Sequence, residues 1–257
     1  MKRILTREEW SRRKRRNRII LILVVVVLTI AILAVTVFIT VSTIQRGSIS
    51  KLGLLHDIKD DLLGNNREGI IRIGEQLSNG VEIYGDYLTP NEYSRPKTPL
   101  KDINAIVVHY TANPGTSAEN NRNYFEGLAT KQTTYASSHY IIGLDGEVFQ
   151  CIPLNEVAFA SNDRNNDTIS IECCHEDETG KFNEATYDSL VSLTAALCVQ
   201  FNLEEEEIIR HYDVTEKLCP LYYVEHEDEW LLFRREVMNK VEELRVAQEI
   251  VLEQPQE

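Results

Sequence analysis

Residues 19–44, IILILVVVVLTIAILAVTVFITVSTI, form a run of 26 without a charge, a glycine or a proline. As a helix at ~1.5 Å per residue the run reaches roughly 39 Å, and about 20 apolar residues suffice to cross a bilayer. A soluble helix of that length would carry a charged or strongly polar stripe, and this one has none. A cleaved signal peptide has an apolar core of about 7–15 residues followed by a small-residue cleavage site; this run is longer and no such site follows it clearly. The segment is therefore expected to stay in the chain as a signal-anchor, a single transmembrane helix. Residues 1–18 hold nine Lys/Arg against Glu8 and Glu9, with RRKRRNR immediately before the run. Basic residues remain on the cytoplasmic side and attract anionic lipid headgroups. The expected layout is a basic cytoplasmic tail (1–18), a cell-membrane span (19–44), and an exterior part made of everything that follows.

That exterior part is acidic. Residues 1–18 balance at +7, and the remaining 18 basic and 38 acidic residues balance at −20. Phosphate backbones would be repelled, so nucleic acid is excluded as a partner. Hydrophobic residues make up 43% and charged residues 26% of the 257, a globular composition. An exterior location permits disulfides, but the five cysteines are an odd number and form no dense framework. Cys151 and Cys198 stay open as a pair. Cys173 and Cys174 are adjacent, so on a strand they point to opposite faces, as buried small hydrophobes.

Residues 45–80 read as a short helical stalk or linker, with Leu52, Leu54, Leu55, Ile58, Leu62 and Leu63 at near-helical spacing and a second short helix ended by Asn79-Gly80. From 81 the pattern changes, and 81–250 is expected to be one domain, with 251–257 as a tail. INAIVVHYT (103–111) and DTISIECC (167–174) are dense β-branched runs typical of buried strands. Residues 116–129 read as a helix capped by Thr116 or Ser117. Residues 138–143 and 147–152 read as a hairpin turning at Asp145-Gly146. Residues 183–203 read as an amphipathic helix capped by Asn183, a short strand precedes Arg210-His211, and a last helix covers 228–250. Interleaved strands and helices predict an α/β domain, with a central mixed β-sheet flanked by helices.

The residues capable of chemistry fall at the ends of the predicted strands. His109 ends one, Glu172 lies within another, His211 ends a third, and Lys217 and Cys219 follow in the next loop. Strand ends in such folds converge on sites. Alone, His109 reads as a satisfied core or rim histidine, and Lys217 as a solvated loop lysine. Together, two histidines and a thiolate are a recognised catalytic zinc set that leaves one coordination position for water.

VVHYTANPG, ASSHYIIGLDGEVFQCIP, ISIECC and RHYDVTEKLCP, in this order and at these separations, resemble the zinc N-acetylmuramoyl-L-alanine amidases of the amidase-2 superfamily, which also includes the peptidoglycan recognition proteins. The resemblance covers about residues 90–235 and is nearest the clostridial-type branch, through PNEYSRP and CPLYYVE. It implies Zn2+ as cofactor, held by His109, His211 and Cys219, with Glu172 as the catalytic carboxylate and Lys217 as a second catalytic group. Some members use a Tyr before the hairpin histidine; Ser138 stands there, so the Glu-dependent variant is implied. Glu216 stands where related sequences often have Gly, which leaves open whether it pairs with Lys217.

The implied substrate is peptidoglycan, cut at the amide between N-acetylmuramic acid and the L-alanine of the stem peptide. Zinc lowers the pKa of bound water towards ~7, Glu172 can carry the proton to the leaving nitrogen, and the Lys217 ammonium can face the oxyanion. Asn113, His139, Arg164 and His175 are candidate substrate contacts. His139 reads equally as a groove residue or a brace of the hairpin, and His175 with Asp177 equally as groove or solvated turn. Tyr110 and Tyr140 read as core residues, and His56 and His226 as surface residues. The alternative is a non-catalytic peptidoglycan-binding or envelope scaffold protein on the same fold. Retention of Cys219, Glu172 and Lys217 together favours the enzyme. The number of copies in the functional assembly is left open.

Overall fold

The computed structural model describes Gly74 and residues 76–253. The expected cytoplasmic tail, the transmembrane helix and residues 45–73 lie outside the described residues. No helix among the described residues is long and apolar enough to cross a membrane.

The centre is a six-stranded sheet of β1 (Ile83–Gly85), β2 (Ala105–Tyr110), β3 (Tyr140–Ile142), β4 (Val148–Gln150), β5 (Thr168–Cys173) and β6 (Ile208–Arg210), in the order β1-β4-β3-β5-β2-β6. Only β3 and β4 pair antiparallel, as the expected hairpin, and all other neighbours run parallel. The helices are α1 (Ala118–Lys131), α2 (Glu184–Phe201), α3 (His211–Thr215), α4 (Leu221–Glu225) and α5 (Glu227–Glu253). The sheet is thus mixed and flanked by helices, as the sequence predicts.

Alternation along the strands builds a core on each face. Ile106 and Val108 of β2, Tyr140 and Ile142 of β3, and Ile169, Ile171 and Cys173 of β5 join Leu193 and Leu197 of α2 and Trp230, Phe233 and Val237 of α5 in one cluster. Ile141 and Cys174 join Ala118, Phe125 and Leu128 of α1 in the other. Each fully buried aliphatic or aromatic side chain contributes roughly 1.5–3 kcal/mol. Cys173 and Cys174 divide between the two cores, and all five cysteines are free and buried.

The helix starts follow the capping chemistry. Ser117, not Thr116, caps α1, its hydroxyl accepting from the Asn120 N–H at 3.2 Å. Asn183 caps α2, accepting from Thr186 N–H at 2.9 Å, and its amide donates to the Leu144 carbonyl at 2.9 Å.

Three boundaries differ from the sequence reading. The described end of the stalk is turn and β-bridge rather than helix: Gln76 bridges Glu82, and Gly80 N–H returns to the Leu77 carbonyl. Leu77 belongs to the core, so the domain includes residues before 81. The last helix runs to Glu253, past the expected end at 250.

Candidate metal centre and active site

The parallel pairing of β2 with β5 and β6 sets the site. β2 and β5 register one to one, placing His109 opposite Glu172. Both lie on the face away from α2 and α5, because their neighbours Val108, Ile171 and Cys173 face that core. Val108 registers with Arg210 on β6, so the next residues, His109 and His211, meet at the same sheet edge. Their rings stand 4.7 Å apart at 63°.

His211 opens α3 rather than ending a strand, and Arg210 anchors that start. Its guanidinium is buried, pairs with Asp213 at 2.8 Å and with Glu227, donates to the Tyr223 carbonyl and lies 5.3 Å over the Trp230 ring. Asp213 also accepts the Arg210 N–H at 2.8 Å. Beyond α3 the chain reverses: Glu216 takes a left-handed φ of 62°, and Tyr212 N–H donates to the Cys219 carbonyl at 2.9 Å. This reversal returns the Cys219 thiol to the two imidazoles.

His109, His211 and Cys219 are all buried, and each offers a ligand atom within 4.8 Å of the others. Cys219 Sγ lies 3.8 Å from His109 Nδ1; at ordinary zinc bond lengths two tetrahedral N and S ligands stand roughly 3.6 Å apart. His211 Nδ1 is buried with no hydrogen-bond partner, as is Glu172 Oε2. Orphaned buried polar atoms are costly, and a cation held by these donors would satisfy the imidazole nitrogen. The N, N, S donor set is of the kind that suits zinc. The residues present therefore fit a metal ion.

The electrostatics of the two imidazoles agree. Burial, then His211 and then Lys217, hold His109 well below its ordinary value; burial and then Lys217 bring His211 down to about 4. Both rings are therefore neutral near pH 7, the form that binds metals. Burial, reinforced by Glu172, pushes the Cys219 thiol up to about 12. Burial pushes Glu172 up to about 8, against the pull of Lys217. The Lys217 charge thus acts on all four groups. Lys217 is exposed and forms no ion pair with a described carboxylate, Glu216 included.

The structure brings His109, Glu172, His211, Lys217 and Cys219 together. The substrate candidates fare differently. His139 is 1% exposed and both ring nitrogens are taken: Nδ1 accepts from the Ser170 N–H at 3.0 Å, and Nε2 faces the Glu156 carbonyl at 2.9 Å. It is a brace, which corrects its place among the substrate contacts. His175 is also buried, bonding the Asp177 carbonyl at 2.7 Å and packing on Tyr110, while its Nε2 has no partner. Arg164 gives its Nε–H to Asp167 at 2.8 Å. Asn113 is exposed in the loop after β2. Tyr140 is fully buried and His226 exposed, as the sequence reading has them.

Sequence reasoning missed two residues. Ser161 Oγ lies 3.3 Å from His109 Nε2, and Asn162 Oδ1 lies 2.9 Å from His211 Nε2. Both stand in the loop before β5, where only their turn-forming composition shows in the sequence.

Fold and site together define a class: a mixed α/β domain whose parallel strands deliver a His/His/Cys cluster able to hold a metal ion, with a half-buried carboxylate beside it. Comparison with known proteins narrows this. Residues 99–221 match the family model of Amidase_2, N-acetylmuramoyl-L-alanine amidase. It is 36% identical over 171 residues to the N-acetylmuramoyl-L-alanine amidase CwlL of Bacillus licheniformis, covering 61% of this chain and 47% of that protein. It is 33% identical over 176 residues to the N-acetylmuramoyl-L-alanine amidase BlyA of Bacillus subtilis (strain 168), covering 60% and 46%. The chain thus spans about half the length of the curated relatives it matches. Among solved structures, the PlyG catalytic domain superposes with a TM-score of 0.53 at 26% identity, covering 63% of this chain and 96% of that one. PlyL superposes at 0.52 with 27% identity, covering 61% and 97%.

Proposed function

We propose that the chain is a membrane-anchored, zinc-dependent N-acetylmuramoyl-L-alanine amidase that hydrolyses the amide between N-acetylmuramic acid and the L-alanine of the stem peptide. One observation carries this reading: within a domain that matches the amidase family model, Glu172 stands in register beside His109, next to a buried His/His/Cys cluster. In the proposed layout residues 1–18 stay in the cytoplasm, 19–44 cross the membrane, and the domain faces the cell wall.

His109, His211 and Cys219 would hold the zinc. Bound there, the ion supplies Lewis acidity and lowers the pKa of water towards ~7. In its ionised form, which a bound cation and Lys217 would favour against burial, Glu172 accepts a proton from the water that attacks the lactyl carbonyl carbon. The water oxygen bonds to that carbon, and the carbonyl π pair moves onto oxygen. The Lys217 ammonium, with no carboxylate partner, faces that developing charge and stabilises it. Glu172 then delivers its proton to the alanine nitrogen, the C–N bond breaks, and the amine and a lactyl carboxylic acid separate, the acid's remaining proton passing to the amine to give carboxylate and ammonium. Neither histidine takes part in the proton transfer, since each commits a lone pair to the ligand set.

The test is direct. The purified full-length chain should contain zinc near one per chain. Glu172→Gln should keep that zinc and the fold, yet lose release of L-alanine-linked peptides from peptidoglycan by several orders of magnitude. A Glu172→Gln protein cutting at the wild-type rate would remove Glu172 from the mechanism. A wild-type chain that binds peptidoglycan, holds no metal and cuts nothing would establish the binding-protein reading instead.

A further inference from the structure

The loop between β4 and β5 folds back over the sheet edge and presents two consecutive side chains to two imidazoles. Asn162 Oδ1 lies 2.9 Å from His211 Nε2. An amide oxygen only accepts, so His211 Nε2 carries the proton and Nδ1 keeps its lone pair. That Nδ1 is the buried atom left without a partner. Ser161 Oγ lies 3.3 Å from His109 Nε2, while His109 Nδ1 faces Cys219 Sγ at 3.8 Å. The same division of labour thus holds at both rings: one nitrogen is engaged by the loop and the other faces the cluster.

The loop is built for this placement. Asn165 Oδ1 accepts from the N–H groups of Ala160 at 3.0 Å and Ser161 at 2.6 Å, pinning the turn. Asn162 adopts φ 52°, a left-handed conformation that Asn tolerates better than most residues. Ser161 is 1% exposed, so its hydroxyl has been taken from water to sit against the ring.

We infer that Ser161 and Asn162 are positioning residues that hold His109 and His211 as their Nε2–H tautomers and keep both Nδ1 lone pairs turned towards Cys219. The inference rests on the proposed reading of these three residues as the metal set. Acceptors that orient metal-ligating histidines typically change metal affinity 10–100-fold.

Two measurements test it, both on the full-length chain. Long-range 1H–15N correlation on the metal-free protein should show Nε2–H at His109 and His211. Asn162→Gly keeps the left-handed backbone but removes the acceptor, so His211 should lose its single tautomer. Asn162→Asp supplies a carboxylate acceptor and should restore it, a rescue that a merely structural role would not produce. In zinc competition against a chelator, Asn162→Gly should bind about tenfold more weakly or worse, Ser161→Ala should shift the same way, and Asn162→Asp should stay near wild type. An Nδ1–H tautomer at His211 in the wild type overturns the inference. So does an Asn162→Gly protein with unchanged tautomer and unchanged zinc affinity. A wild-type chain that takes up no zinc overturns the metal reading, and the tautomer measurement, made without metal, still decides the positioning claim.

Discussion

His139 shows how a residue suited to chemistry can be committed to architecture. Its ring bridges the hairpin to β5 through Ser170 and to the following loop through the Glu156 carbonyl. The Glu156 carboxylate is engaged separately, by a two-point pair with Arg95 at 2.8 and 2.9 Å. Burial brings His139 down to about 4 from an ordinary value of 6.5. The sign follows from linkage: as pH falls the unfolded chain takes the proton before the folded one, so folding loses stability. The His139 contribution is whole above pH 6.5 and disappears progressively towards pH 4, a loss on the order of 3 kcal/mol. Denaturant titrations across that window should show His139→Gln, less stable near pH 7, losing correspondingly less on acidification. An equal pH slope in both proteins would mean that the ring is not held neutral. Nothing around the SSHY stretch could have separated brace from groove residue, because the partners that decide it lie 31 and 17 positions away. Ser161 and Asn162 escaped notice for the same reason: their partners lie 52 and 49 positions away.

Among the elements, the hairpin turn between β3 and β4 has the narrowest tolerance. Gly146 takes φ +79°, and a Cβ there would stand 2.8 Å from the Ala185 carbonyl and 3.0 Å from Ser189 Oγ, at the start of α2. Ser189 already donates to the Gly146 carbonyl at 2.7 Å. Gly146→Ala combines left-handed strain with overpacking and should cost about 2–4 kcal/mol, read as a lowered denaturation midpoint with an unchanged slope. A loss below 0.5 kcal/mol would show that the turn moves aside. This turn was visible as Asp145-Gly146, the long strands as β-branched runs, and the caps of α1 and α2 as Thr116 or Ser117 and as Asn183. Three short elements were not: β1 has three residues of which only Ile83 is buried, and α3 and α4 have five each, too few to display a period. The two histidines of the cluster were legible because they sit at or just beyond strand ends, where parallel pairing gathers them, and Cys219 because it shares one short motif with His211.

For the whole molecule, charge and hydropathy divide the chain sharply. The +7 balance of residues 1–18 and the uncharged run after them stand apart from a body at −20. The proposed anchor has a direct consequence: the full-length protein should stay with the membrane fraction through a high-salt wash, and removing residues 1–44 should release the domain. Recovery of the intact chain in the soluble fraction would dismiss the anchor while leaving the amidase reading untouched. The register of β2 and β5 carries a further consequence. His109 and Glu172 face each other only because these strands pair one to one from Ala105↔Thr168 to Tyr110↔Cys173. A slip of one residue would set Ile171 or Cys173 opposite His109 and swing the carboxylate to the far side of the sheet. Cys219 must also arrive from 110 positions beyond His109. No partly assembled chain therefore owns a weakened version of the chemistry. On the proposed amidase reading, a polypeptide still emerging or refolding would leave the polymer around it uncut, and cutting would begin only once the sheet closes in register.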